Sequence, residues 1–390
     1  MDLLKKPGTS SRLSGTLLAG MIAGASMMTA AGAQDMRFAV GLPESNYNYD
    51  ASVYFANKVA ENSDMRVRVF ALSLLNLSEI PGGIRDGLAD FGYSLLPYFP
   101  AEFSELNLPA NLSWIAATNP DARWPGPAMI GATTEYVTLH CPDCLRQMNA
   151  FNTVFLASGA AVDYGMACNR PVRSLDEMQG LRIRTGAADL ARFVEYFRGS
   201  NVSLSGNEIY DALGTRNIDC AGVPPETMTS LRLMEVADHF TAMMPGNMFT
   251  GIGVANMNRD RWISLTPAQR EVVIRAAGAT GIYAWSIQST RNDEVLDQFV
   301  AAGKTVLRLS DDDRARIAAF AQADLAIVRD QFASVFRVPN VDEKIALVSS
   351  LIEKWVGLTN QVEDRDLDAF AALLDQEIFS RIDFSAYGVK

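Results

Sequence analysis

The stretch from Asn169 to Pro225 constrains this chain more than any other. It opens on Ser174-Leu175-Asp176-Glu177, the pattern of a capping box, in which a hydroxyl and a carboxylate satisfy orphan backbone donors. A short turn stops at Gly180, and Leu181-Arg182-Ile183-Arg184 alternates as a brief strand that delivers Arg184 to its carboxyl end. Leu190, Phe193, Val194 and Phe197 then recur at offsets of three, four and seven, the apolar face of a helix. A second capping box, Ser205-Gly206-Asn207-Glu208, starts another helix through Ile209 and Leu213, and Asn217 to Gly222 reads as strand and loop. Strand, helix, helix, strand is a parallel α/β unit, and ligands of such sheets sit outside the carboxyl ends of strands. Arg184 is expected there.

The same residues resemble a known family. Ser174-Leu175, then Met178-Gln179-Gly180-Leu181-Arg182-Ile183-Arg184-Thr185, followed about 30 residues on by Ala212-Leu213 and Ile218-Asp219 and then a proline, is similar to the solute-binding proteins of TRAP transporters, the DctP-like family. The order of elements matches that family from about Met36 to about Phe336. The resemblance implies an α/β fold of two lobes, as in periplasmic binding proteins, with a ligand cleft between them and a long spine helix. It implies that Arg184 grips the carboxylate of a small organic acid, that Tyr164, twenty places before it, contacts the ligand, and that TRAP membrane subunits are the partner. It implies no cofactor, no metal and no catalysis. Two departures bear on the ligand: some relatives carry a second arginine where this chain has Tyr164, and relatives that bind acidic sugars have Gly-Gln-Glu-Asn-Pro where it has Cys220-Ala221-Gly222-Val223-Pro224. Both remove polar donors, so an acid less hydroxylated than sialic acid is expected, aromatic acids included.

Residues 1–33 stand apart. Lys5, Lys6 and Arg12 precede an apolar and small-residue run from Leu17 to Ala30, and Ala31-Gly32-Ala33 has the small-x-small form of a cleavage site. This is the pattern of a secretory leader, which places the mature protein in the periplasm. No cysteine precedes Cys141, so no lipid-modified cysteine follows the leader. Losing Lys5, Lys6, Arg12 and Asp2 removes a net +2, so the formal charge of −11 becomes −13. Such a charge repels nucleic acid and anionic membranes. An anionic ligand must then be held by local groups, and a monomer is expected.

In order, the chain reads as lobe I over 34–161 and 249–288, lobe II over 162–248 and 289–340, and a helical extension over 341–390 packed on the lobes. Closure is expected about crossings near 161, 248 and 288. Met36 to Gly41 and Met65 to Phe70 are strands, with a helix capped by Asp50 between them. The loop from Asn46 to Tyr49 sits at the carboxyl end of the first strand, where a plain turn and a ligand role are equally supported. Tyr93 and Ser94 fall where the third strand ends. Asn46, Tyr49, Tyr93, Ser94 and Phe249 from lobe I, and Tyr164, Arg184 and Val223 from lobe II, form the candidate ligand set. Thr266-Pro267-Ala268-Gln269 caps a helix of about 35 residues, roughly 50 Å long at 1.5 Å per residue, in which Gly278 and Gly281 could allow a bend.

Enzyme readings have little support. The two histidines, His140 and His239, stand in no nucleophile–base pattern, and no serine elbow, zinc-helix motif or phosphate loop is present. Cys141-Pro142-Asp143-Cys144 reads as a local disulfide, with an exported thiol–disulfide oxidoreductase as the alternative. Whether Cys168 and Cys220 pair stays open, since that needs their Cα atoms within roughly 7 Å. A receptor feeding a sensor is the remaining alternative.

Overall fold

The computed structural model describes residues 35–242 and 248–389, so the leader of residues 1–33 lies outside the described residues. Its strands in chain order are β1 (Met36–Ala39), β2 (Val67–Phe70), β3 (Phe91–Leu95), β4 (Thr153–Val154), β5 (Ser158–Val162), β6 (Gly165–Cys168), β7 (Arg182–Thr185), β8 (Ser200–Ser203), β9 (Cys220–Val223), β10 (His239–Ala242), β11 (Met248–Asn258) and β12 (Thr305–Leu307). They build two six-stranded sheets. The first runs β2-β1-β3-β11-β4, with β5 also paired to β11. The second runs β12-β10-β6-β9-β7-β8.

Each sheet is mixed, parallel where short helices supply the crossovers and antiparallel at the strands that change sheet. β1 pairs in parallel with β2 and β3, whereas β11 is antiparallel to β3 and β5. β11 is buried throughout its length, which suits a strand covered on both faces by helices. Because it runs against β3, its first residues, Phe249 among them, lie at the carboxyl end of β3. In the second sheet β7 is parallel to β8 and β9, and β6 lies antiparallel to β9 with Cys168 opposite Cys220.

Three local readings are corrected. The strand β8 replaces what the sequence offers as a helix-to-helix link; its Ser-Asn-Val-Ser run is polar because β8 is an edge strand. The capping box at Ser174 does not form. Asp176–Met178 is a single 3-10 turn, and the Glu177 carboxylate instead accepts from the Arg173 backbone N–H at 2.7 Å. Asn46 to Tyr49 is not a loop: the helix Tyr47–Glu61 starts there, capped by Asn46, and Asp50 sits inside its first turn.

The second capping box forms as the sequence reads it, with Ser205 and Glu208 both engaged. So does the one at Thr266 and Gln269, which opens the spine helix Pro267–Ala301 of 35 residues. Gly278 and Gly281 in that helix serve close packing. A Cβ at Gly278 would lie 2.5 Å from the Phe379 ring, and one at Gly281 2.6 Å from the Ser158 carbonyl oxygen. Beyond residue 340, the helices Val341–Thr359 and Leu367–Glu377 contribute Trp355, Phe370 and Leu374 to the main core. Among the described residues no helix is long and apolar enough to cross a membrane.

Candidate ligand-binding site

The β7 strand carries Arg182 and Arg184 on one face, two residues apart. Their surroundings differ. Arg182 is exposed and paired with Asp219 at 3.1 Å, an ordinary surface ion pair. Arg184, farther along the strand, is only 3% exposed. Its Nε donates to the Leu204 carbonyl at 2.8 Å, Nη1 to the Gly222 carbonyl at 3.2 Å and Nη2 to the Tyr98 hydroxyl at 2.6 Å. Among the described residues no carboxylate forms an ion pair with it. A guanidinium has five N–H donors, so two remain, one on each terminal nitrogen. A buried cation without a counter-ion is costly, and two adjacent donors suit a carboxylate fork.

Arg184 lines a cavity of about 60 Å³ between the two sheets. Of the residues expected at the site, Asn46, Tyr93, Tyr164, Val223 and Phe249 line it with Arg184. Strand ends explain the convergence: Arg184, Val223 and Tyr93 come from β7, β9 and β3, and Phe249 from the start of β11. Ser94 and Tyr49 do not line the cavity. Successive strand residues face opposite ways, so with Tyr93 turned in, Ser94 is buried on the other face, its hydroxyl without a partner among the described residues. Tyr49 lies half-buried against the main core because the helix begins at Tyr47 and turns it away.

Arg184 apart, the lining is uncharged and rich in aromatic rings. The Tyr164 and Phe249 rings stack at 5.9 Å and 16°, and Tyr98 meets Phe249 edge-on at 6.5 Å. Burial pushes the hydroxyls of Tyr47, Tyr93 and Tyr164 above the ordinary tyrosine value, so each stays a neutral hydrogen-bonding group. Tyr47 and Asn48, from the Asn46–Tyr49 stretch offered a ligand role, line the cavity too, and Tyr98 and Thr227 line it without having been expected there. Tyr98 follows β3 directly, and a rule extended one turn past strand ends would have found it.

Several bonds hold the two sheets together around the cavity. Glu226, just after β9, accepts from the Asn46 side-chain nitrogen at 3.0 Å and from the Tyr47 backbone N–H at 3.2 Å. Its carboxyl is pushed up to about 7, chiefly by burial; bonds from Ser230 and Tyr47 and the charge of Arg291 oppose the rise, and Asp50 adds to it. Asn207 accepts from the Leu77 N–H at 3.1 Å and donates to the Gly41 carbonyl at 3.0 Å.

The cysteines lie elsewhere. Cys141 and Cys144 are bonded to each other at the start of the helix Pro142–Ala150, both buried, with the Cys144 N–H donating to Cys141 Sγ. Glu105, whose carboxylate lies beside them, is paired with Lys344 at 2.8 Å. Thiol exchange needs an accessible sulfur, which this burial denies. Cys168 and Cys220 are also bonded, their Cα atoms 4.1 Å apart across β6 and β9.

Comparison with known proteins agrees with this architecture. The model of the DctP family, bacterial extracellular solute-binding protein family 7, matches residues 38–333. A solute-binding protein of Albidiferax ferrireducens is 23% identical over 262 residues, 66% of this chain and 74% of that protein. The crystal structure of a TRAP solute binding protein from Rhodoferax ferrireducens, in complex with copurified benzoate, superposes with a TM-score of 0.71 at 16% identity, covering 84% of this chain and 99% of that one. A marine-metagenome TRAP solute binding protein in complex with 3-hydroxybenzoate gives 0.70 at 17% identity, covering 83% and 98%. Two lobes with mixed sheets, joined by a long helix, are thus shared with receptors that hold a solute and perform no chemistry on it, and the family model spans most of the described residues. The chain belongs to the bacterial extracellular solute-binding proteins of family 7, the receptors of TRAP transporters.

Proposed function

We propose that the protein is the periplasmic receptor of a TRAP transporter, holding a small aromatic monocarboxylate between its lobes and passing it to the membrane subunits. One observation carries the reading: Arg184 is buried without an anionic partner among the described residues and keeps two N–H donors. A carboxylate supplies the missing charge, and Arg184 binds both its oxygens. The Tyr164–Phe249 stack favours an aromatic body, since ring pairs contribute about 0.5–1.5 kcal/mol beyond area burial. Two structural relatives hold benzoate and 3-hydroxybenzoate. The acidic chain, −11 overall, gives no long-range attraction to an anion, so recognition rests on Arg184 and its neighbours.

The test is a thermal-shift screen of the mature protein against aromatic, hydroxylated and aliphatic acids, followed by titration. A binder at a hundred times its dissociation constant adds about 2.7 kcal/mol of stability. Arg184→Ala should weaken binding by roughly 2–5 kcal/mol. Because that variant also strands the Leu204 and Gly222 carbonyls, Arg184→Lys is measured beside it; it keeps the charge, loses the fork and should still bind poorly. Wild-type affinity in both variants would refute the assignment.

A further inference from the structure

Tyr98 stands at a boundary. One side of it faces the cavity of about 60 Å³, and the other faces a larger groove of about 570 Å³ beside β7 and the helix Ala188–Tyr196. It belongs to the 3-10 turn Leu96–Tyr98, which β3 delivers from the first sheet, yet its hydroxyl is held by the second. The oxygen accepts from Arg184 Nη2 at 2.6 Å and from the Gly206 N–H at 3.1 Å. A phenol has two lone pairs and one proton, so its acceptor capacity is filled. Among the described residues the proton has no acceptor.

The ring packs against Gly186, and its hydroxyl lies beside Gly206. A Cβ at Gly186 would lie 2.9 Å from the Tyr98 ring and equally close to Arg184 Nη2, and a Cβ at Gly206 would lie 3.5 Å from the Tyr98 oxygen. At Gly186 an added Cβ would force Tyr98 or Arg184 to shift. The Arg184 guanidinium carbon lies 5.8 Å from the centre of the same ring, so ring and cation support each other.

We propose that Tyr98 is both a ligand contact and the door of the site: its hydroxyl donates to the carboxylate that Arg184 holds, and its ring, set against Gly186, stands between the cavity and the larger groove and bars passage from one to the other. This rests on Arg184 being the carboxylate holder. A carboxylate has about four lone-pair sites, enough for two N–H bonds from Arg184 and one O–H bond from Tyr98. Seating of the ring requires the lobes to meet, because the ring comes from one and its slot from the other. Release of the acid therefore requires Tyr98 to leave the slot.

The experiment measures equilibrium binding and stopped-flow rates with benzoate and 3-hydroxybenzoate for the wild type, Tyr98→Phe, Tyr98→Ala, Gly186→Ala and Arg184→Ala. Tyr98→Phe keeps the ring and loses the proton; affinity should fall about tenfold to a hundredfold, as for a lost bond to a charged group. Tyr98→Ala removes the door, so association and dissociation should both quicken. Gly186→Ala leaves the hydroxyl intact but crowds the ring and Arg184 Nη2 alike; faster dissociation is expected there too, and it counts for the door only where Tyr98→Ala shows the same change. The acid-free melting temperature serves as the control, since a purely structural role would lower it while leaving the rates of folded protein unchanged. Loss of binding in Arg184→Ala with wild-type affinity and rates in all three other variants overturns the role of Tyr98 alone. No binding of either acid by the wild type overturns this role together with the aromatic-acid reading on which it rests.

Discussion

Three arginines, Arg184 and Arg270 buried and Arg192 nearly so, show how residue chemistry separates structure from function. Arg192 meets Asp324 in two parallel bonds at 2.6 and 2.8 Å, a paired charge. Arg270 places its three nitrogens on the carbonyls of Trp262, Phe384 and Ile263, stitching one chain segment to another. Arg184 does neither completely, since it ends on a tyrosine hydroxyl at a cavity wall. The same scale decides the spine glycines. Alanine at a helix interior is worth about 1 kcal/mol over glycine, so Gly281→Ala looks favourable from propensity alone. The Ser158 carbonyl, 2.6 Å from the added carbon, is backbone and cannot rotate away. Overpacking of about 1–3 kcal/mol should prevail, and Gly281→Ala should melt below the wild type. A raised melting temperature would show that the helix shifts freely there.

At the scale of elements, the start of the helix Tyr47–Glu61 is finished by a residue from the other sheet. Asn46 caps it, and the Glu226 carboxylate accepts from Tyr47 N–H, placing an acidic group at the positive end of the helix. Burial raises the Glu226 carboxyl from 4.5 to about 7. A group raised on folding contributes its stability in full below its unfolded value, near 4.5, and loses it as pH climbs through about 7. The contribution is worth at most roughly 3 kcal/mol. Asp189, pushed up to about 6 mainly by burial, acts in the same direction. Melting of wild type and Glu226→Gln from pH 5 to pH 8 isolates Glu226: the wild type should lose more stability than the variant. Equal slopes would remove Glu226 from the pH response. This contact also marks where sequence stops being informative. Capping boxes at Ser205 and Thr266 are legible because donor and acceptor lie three residues apart. Arg184 is legible through strand position and the motif around it. Glu226 and Tyr98 are not, because their partners stand 180 and 86 residues away and no local pattern encodes that distance. The edge strand β8 is missed for the opposite reason: its polar run is what an edge needs, and it looks like a loop.

For the whole molecule, the segment after residue 340 belongs to the core and is no appendage. The Trp355 indole donates to the buried Glu135 carboxylate at 2.6 Å, and Lys354 donates to both its oxygens. The Trp355 ring lies against Gly131, where an added Cβ would stand 2.1 Å away. Trp355→Ala should cost about 3–5 kcal/mol, read as a fall in the denaturant midpoint. Ending the chain at residue 340 should abolish cooperative melting, since Glu135 would be left buried with its main donors gone. A truncated protein melting as sharply as the full chain would count against this. Farther on, the Tyr387 hydroxyl donates to the Phe155 carbonyl, the Trp262 indole donates to the Tyr387 carbonyl, and Arg259 donates to the carbonyls of Gly388 and Val389. Synthesis proceeds from the amino end, so the strands around β4 exist for more than two hundred residues of elongation before Tyr387 reaches them. Until then the Phe155 carbonyl and the Trp262 indole lack the partners that Tyr387 gives them in the folded chain.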